Sequence, residues 1–160
     1  MSKSDIISIY DKSPKIALLE STFAARQKSQ MTGLVGSSFS FVTHSLFKKS
    51  ELPFLILCNN KEEAAYYLND LEQLLNAEDV LFYPSSYRRP YQIEETDNAN
   101  VLLRAEVLNR INSRKKPAII VSYAEAIFEK VVTRKELEKN TLKLSVEDNC
   151  LLYTSDAADE

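Results

Sequence analysis

One stretch of this chain has the residue types and spacing of a site that could do chemistry. Gly33-Leu34-Val35-Gly36-Ser37-Ser38-Phe39-Ser40 holds both glycines of the sequence and precedes a helical pattern. A phosphate-binding loop of the form G-x-x-x-x-G-K-[ST] needs glycines so that backbone N–H groups can approach the phosphates. Its lysine meets the β and γ charges, and its hydroxyl ligates magnesium. Aligned from Gly33, Ser38 stands at the second glycine, Phe39 at the lysine, and Ser40 alone keeps the hydroxyl. A benzyl group cannot compensate phosphate charge, and at that point it is expected to turn into the core. Gly33, Gly36, Ser37, Ser38, Phe39 and Ser40 thus form either a nucleotide loop without its electrostatics or a glycine-containing turn before a helix. Neither reading supports ATP hydrolysis.

Other reactive side chains are sparse. Tyr87-Arg88-Arg89-Pro90-Tyr91 is the one basic and aromatic cluster. Tyr87, Arg88, Arg89 and Tyr91 have the chemistry to stack on bases and meet phosphates, as single-strand binders do; the tyrosines alone would also pack against a neighbouring domain. Arg114-Lys115-Lys116 reads as a solvated turn. His44 is the single histidine and has no acid or thiol at helical spacing, so no catalytic triad can be drawn around it. Cys58 closes an apolar run and reads as an inert core thiol. One histidine and two cysteines supply neither a zinc tetrad nor a disulfide framework. The residues therefore predict no catalytic group, no metal and no cofactor for this chain.

The elements that must position these groups come from a chain of 160 residues, 44% hydrophobic and 27% charged, with 20 Lys+Arg against 23 Asp+Glu. That length suits one domain with a real core, and the apolar content opposes disorder. No apolar run approaches the roughly 18–20 residues of a membrane span, and the start lacks a secretory layout. The last eleven residues, Cys150 to Glu160, match codon by codon the translation of a sequencing-library adapter. They are expected to be an artefact tail, with the natural sequence ending near Asn149. Without Asp156, Asp159 and Glu160 the acids number 20, so the remaining segment is neutral.

Along that segment, Ser13-Pro14 divides residues 4–29 into two short helices. Phe54–Cys58 is a continuous apolar run, the pattern of a strand buried on both faces. Helix 60–76 opens on a capping box, Asn60 with Glu63, and carries the stripe Ala64, Leu68, Leu71 and Leu75. Val80–Tyr83 is the next strand. Helix 97–112 follows, entered through Glu94, Glu95 and Asp97, with Ala99, Leu103, Val107 and Ile111 on its buried side. Residues 117–121 form a third buried strand. Ser122 with Glu125, and Thr133 with Glu136, read as capping boxes of short helices, and Thr141–Val146 alternates like a half-exposed last strand. Strands separated by helices, each apolar throughout, predict an α/β fold with a three-layer parallel sheet covered on both faces.

This order of loop, helix, Leu55-Ile56-Leu57, amphipathic helix, Leu81-Phe82-Tyr83-Pro84-Ser85-Ser86-Tyr87, Pro90-Tyr91, Arg104-Ala105-Glu106-Val107-Leu108 and Ile119-Ile120-Val121 resembles the N-terminal module of the bacterial transcription-repair coupling factors. That module is similar to domain 1a of the excision-repair subunit UvrB. The resemblance covers residues 15–149. UvrB keeps an intact phosphate loop and a long tyrosine-rich hairpin. The lysine-free loop here, and the short interval from Pro84 to Asp97, favour the coupling factors.

The resemblance implies a P-loop-like α/β domain with a degenerate loop, cut short: N-terminal helices over 1–30, the domain over 31–149, and the tail over 150–160. It implies a cytoplasmic bacterial parent that translocates on double-stranded DNA with ATP and magnesium, displaces stalled RNA polymerase and recruits UvrA. None of the parent's motor motifs lies within residues 1–149, so this part would be a non-catalytic scaffold whose first partners are the other domains of that chain. In the family the sheet is completed by chain that returns later, so an isolated piece is expected to self-associate through an open edge. The alternatives are a stand-alone nucleotide- or phosphate-binding α/β domain and a small single-strand nucleic-acid binder.

Overall fold

In the computed structural model, residues 2–50, 52–86, 97–113 and 116–131 are described. The chain divides into two units, Met1–Glu129 and Lys130–Glu160, and every element below belongs to the first.

Two short helices come first, α1 (Lys3–Asp11) and α2 (Pro14–Ala24), split at Ser13-Pro14 as the sequence predicts. Ser2 caps α1: its hydroxyl accepts from the Asp5 amide at 3.2 Å, while its own amide donates to the Asp5 carboxylate at 2.7 Å. Pro14 suits the first turn of α2 because its missing N–H would find no partner there. Ile16 of α2 joins Val42 and Leu46 of α3 (Ser38–Ser50) in a small cluster with Tyr10, Leu19, Phe23 and Phe54.

Three parallel strands follow: β1 (Phe54–Cys58), β2 (Val80–Tyr83) and β3 (Ile119–Tyr123), in the order β1-β3-β2. The register pairs Leu57 with Ser122 and Ser122 with Tyr83, so these three side chains share one face of the sheet. The helix α4 (Lys61–Leu74) leads from β1 to β2 and packs on all three strands, whereas α5 (Asn98–Ser113) leads back from β2 to β3 and packs on β2. The connections run in opposite directions across the sheet, and right-handed crossovers then require opposite faces. The main core lies under α4, where Ala64, Leu71, Ile56, Cys58, Ile119 and Val121 are all buried. A short helix, α6 (Ala124–Phe128), closes the described order. The α/β class and the parallel sheet stand as expected.

Four local expectations are corrected. First, β1 is not buried on both faces: it is an edge strand, with Ile56 and Cys58 inside but Leu55 61% and Leu57 58% exposed. Helix α4 covers one face there, and on the other face α5 packs on β2. Second, α5 does not bury its aliphatic stripe. Ala99 is exposed, Leu103 is only partly buried and Ile111 is 52% exposed, while Arg104 joins Val107 as a buried residue. Third, Ser122 caps no helix: it lies inside β3 and donates its hydroxyl to the Tyr83 carbonyl at 2.8 Å. Fourth, the box at α4 is half formed. Asn60 accepts from the Glu63 amide at 2.8 Å, but Glu63 reaches back to Asn59 rather than Asn60. The expectations for Glu94, Glu95, Arg114, Lys115, Thr133, Glu136, 141–146 and the 150–160 tail lie outside the described residues.

Candidate functional site

The degenerate loop opens α3. Gly33 and Gly36 have φ of +79° and +55°, backbone conformations that glycine reaches without a side-chain clash. Residues 27–35 contain no strand, so the loop does not leave the carboxyl end of a sheet strand. One amide and one hydroxyl of the loop are taken up within the turn. The Val35 amide donates to the Ser38 hydroxyl at 2.7 Å, and that hydroxyl donates to the Val35 carbonyl at 2.7 Å. The Ser37 and Tyr66 hydroxyls lie 3.1 Å apart. Phe39, at the lysine position, packs on the main core with its ring 5.0 Å from that of Tyr67, edge to face. Ser40 is fully buried, and its hydroxyl donates to Asp70 at 3.1 Å. Where a phosphate loop presents an ammonium and a metal-binding hydroxyl, this one presents an aromatic ring and a hydroxyl held by a carboxylate.

Beside the loop is a cavity of about 250 Å³ lined by Lys3, Ser37, Phe41, Asp70, Gln73 and Leu74. It contains a cation from elsewhere in the chain. The Lys3 ammonium, however, donates to the Gln73 carbonyl near the end of α4, and Asp70 shares the wall.

The second cluster sits at the carboxyl ends of β2 and β3, where open α/β sheets place their ligands. Sequence reasoning missed it, because its centre is an arginine on a helix and a glutamate after one. Arg104 donates to the carbonyls of Pro84 at 2.7 Å and Ala126 at 3.1 Å, and pairs with Glu129 at 3.2 Å. Its guanidinium lies 4.2 Å over the ring of Tyr83, an arrangement that stabilises a desolvated cation. Glu129 accepts from the hydroxyls of Ser85 and Ser86 and from the Ser86 amide. Tyr123 accepts from the Ser85 amide at 2.9 Å, and Asn100 donates to the Ser85 carbonyl at 2.9 Å. Residues 84–86 are therefore pinned by both flanking helices and by β3.

Burial, the largest influence on Glu129, raises its pKa, but the hydrogen bonds from Ser85 and Ser86 and the charge of Arg104 outweigh it and hold the carboxyl below its ordinary value. Burial pushes the hydroxyls of Tyr83 and Tyr123 up. This network holds residues 84–86 in place. The four residues of the aromatic and basic cluster, Tyr87, Arg88, Arg89 and Tyr91, lie outside the described residues, immediately beyond the pinned segment.

Cys58 is buried, and desolvation pushes its thiol up to about 11. His44 is buried on α3 with its Nδ1 unpaired, and burial lowers its pKa. Among the described residues no group of His, Cys, Asp and Glu is arranged to hold a metal ion, and no helix is long and apolar enough to cross a membrane.

The fold and these clusters define an α/β domain with a small open parallel sheet and a glycine-containing turn before α3. No family model matches the chain, and no solved structure does. Among curated proteins, the chain is similar to the transcription-repair-coupling factor of Rickettsia bellii (strain RML369-C), at 28% identity over 105 residues. The match covers 65% of this chain and 9% of that protein, so the chain spans a small part of the relative's length.

Proposed function

We propose that this chain is a non-catalytic scaffold domain belonging to a longer, cytoplasmic, transcription-repair-coupling-factor-like protein of bacteria. The observation that carries the reading is the loop: Phe39 occupies the lysine position and packs on Tyr67, and Ser40 is engaged by Asp70. A triphosphate placed there would meet the Asp70 carboxylate and no ammonium from the loop itself, while the Lys3 ammonium of the adjacent cavity is engaged by the Gln73 carbonyl. The similarity to a coupling factor over 9% of its length supports the view that a larger protein surrounds this domain. On this reading ATP and magnesium, double-stranded DNA, RNA polymerase and UvrA are engaged by other parts of that protein, and this domain contributes shape and packing.

Calorimetric titration of the full chain with Mg-ATP tests the proposal. No heat of binding is expected at millimolar nucleotide; micromolar affinity, or turnover of the triphosphate, overturns it. The stand-alone phosphate-binding reading draws on one feature, the Lys3 ammonium beside Ser37. ATP binding that is abolished by Lys3→Ala selects that reading instead.

A further inference from the structure

The face of the sheet that carries Tyr83 is half covered. Helix α5 packs on β2, but on β1 the same face presents Leu55 at 61% and Leu57 at 58% exposure. In register on β3, Leu55 lies beside Ile120, which is partly buried, and Leu57 beside the buried Ser122. At the amino end this surface runs into a cavity of about 480 Å³ that Ile120, Ile111 and Arg110 help to line. Isolated surface leucines are ordinary, but a contiguous apolar strip on a sheet face marks an interaction site.

Two observations specify what fits. The first is width. Adjacent strands lie about 4.8 Å apart, so the axes of β1 and β2 are separated by about 10 Å, and packed helices lie 8–10 Å apart. One helix laid beside α5 therefore falls over β1. The second is charge. Lys116, at the same cavity, is already engaged by Asp79 at 2.8 Å and Glu78 at 3.8 Å. Arg110 has no ion-pair partner among the described residues, and its Nη1 is buried without a hydrogen bond. A guanidinium left unpaired at the end of an apolar groove is stabilised by a carboxylate, which it can hold through two parallel hydrogen bonds. Nucleic acid fits poorly, since Asp79 and Glu78 offset the nearby lysine.

We propose that the groove between α5 and β1 docks an amphipathic α-helix of a partner protein. Its apolar stripe covers Leu55, Leu57 and Ile120, and an acidic residue near one of its ends pairs with Arg110.

The test uses synthetic helices about 16 residues long, roughly four turns, with leucine at every third and fourth position. One bears a terminal glutamate and the other a lysine at the same place. Anisotropy is measured against the full chain, with folding of each variant checked by circular dichroism. The glutamate helix is expected to bind at least about tenfold more tightly than the lysine helix, and Arg110→Glu to reverse that preference. Leu57→Asp, at an exposed position, is expected to weaken both. No measurable binding, equal affinities, or binding unaffected by Leu57→Asp overturns the proposal. Competition by single-stranded oligonucleotide, or a dimer in sedimentation that Leu57→Asp dissolves, also overturns it by assigning the groove to nucleic acid or to a second copy.

Discussion

Arg104 of α5 and Glu129, just beyond α6, meet at 3.2 Å between Nη1 and Oε2, with only 9% and 13% of their side chains exposed. The pair joins the helix before β3 to the helix after it, and residues 84–86 are held between them. Because the guanidinium also serves the Pro84 and Ala126 carbonyls and lies over Tyr83, one side chain ties together β2, α6 and the residue beyond it.

Removing it should be costly. Arg104→Ala removes the cation facing Glu129, which keeps only the Ser85 and Ser86 donors, and takes the Arg104 donor from two carbonyls; breaking one side of a buried pair costs about 3 kcal/mol or more. Urea denaturation of the variant should show that loss. A change under about 1 kcal/mol would mean that the pair is effectively solvated.

The same pair makes stability depend on acid. The folded-state pKa of Glu129 lies below its ordinary value of 4.5. Its contribution is therefore fully present above that value and is lost as the pH falls through the lower, folded-state one. Melting temperatures taken downward from pH 7 should fall in the acid range. Glu129→Gln should melt lower at pH 7 and show a shallower acid decline; an unchanged decline would assign it to other carboxylates.

The end of α2 offers a stabilising change. Arg26 has φ of +54°, and the amides of Gln27 and Arg26 return to the carbonyls of Thr22 and Phe23 at 3.0 and 2.9 Å. This is the glycine-favouring termination motif with an arginine in the left-handed position. Arg26→Gly should relieve that strain and gain about 0.5–1 kcal/mol, a rise in melting temperature of roughly 1–4 °C. A fall in melting temperature would show that the side chain contributes more than its backbone costs.

Cys58 should be slow to alkylate. With its thiol pushed up to about 11 from 9.0, its thiolate fraction at pH 8 falls about a hundredfold. Mass-spectrometric mapping after iodoacetamide should find the Cys58 peptide unmodified in native protein and labelled in urea. Rapid native labelling would place the thiol on an accessible surface.

Where the sequence reading succeeded and where it failed follows from what local pattern encodes. The split at Ser13-Pro14, the strands at Phe54–Cys58 and Val80–Tyr83, and the Ala64–Leu71 side of α4 were legible because Pro chemistry, apolar runs and helical spacing act within a few residues. The face of α5 was misread because stripe counting treats arginine as solvent-facing. Arg104 is buried because the Pro84 and Ala126 carbonyls accept its protons and Glu129 arrives from 25 positions further along the chain. Ser122 carried a sound capping signal, but the pairing of β3 with both β1 and β2 extended the strand through it, and Tyr83 took its hydroxyl.

Alone, the order of residues determined the alternation of helix and strand, the parallel sheet that such alternation demands, and the absence of a lysine from the Gly33–Ser40 loop, since each depends on neighbours in the chain. Only the tertiary structure decided that β1 lies at an edge with Leu55 and Leu57 uncovered, that Asp70 holds Ser40, and that Arg104 and Glu129 pair. These depend on strand order and on contacts between residues tens of positions apart, where close packing and the cost of an unpaired buried charge select one arrangement.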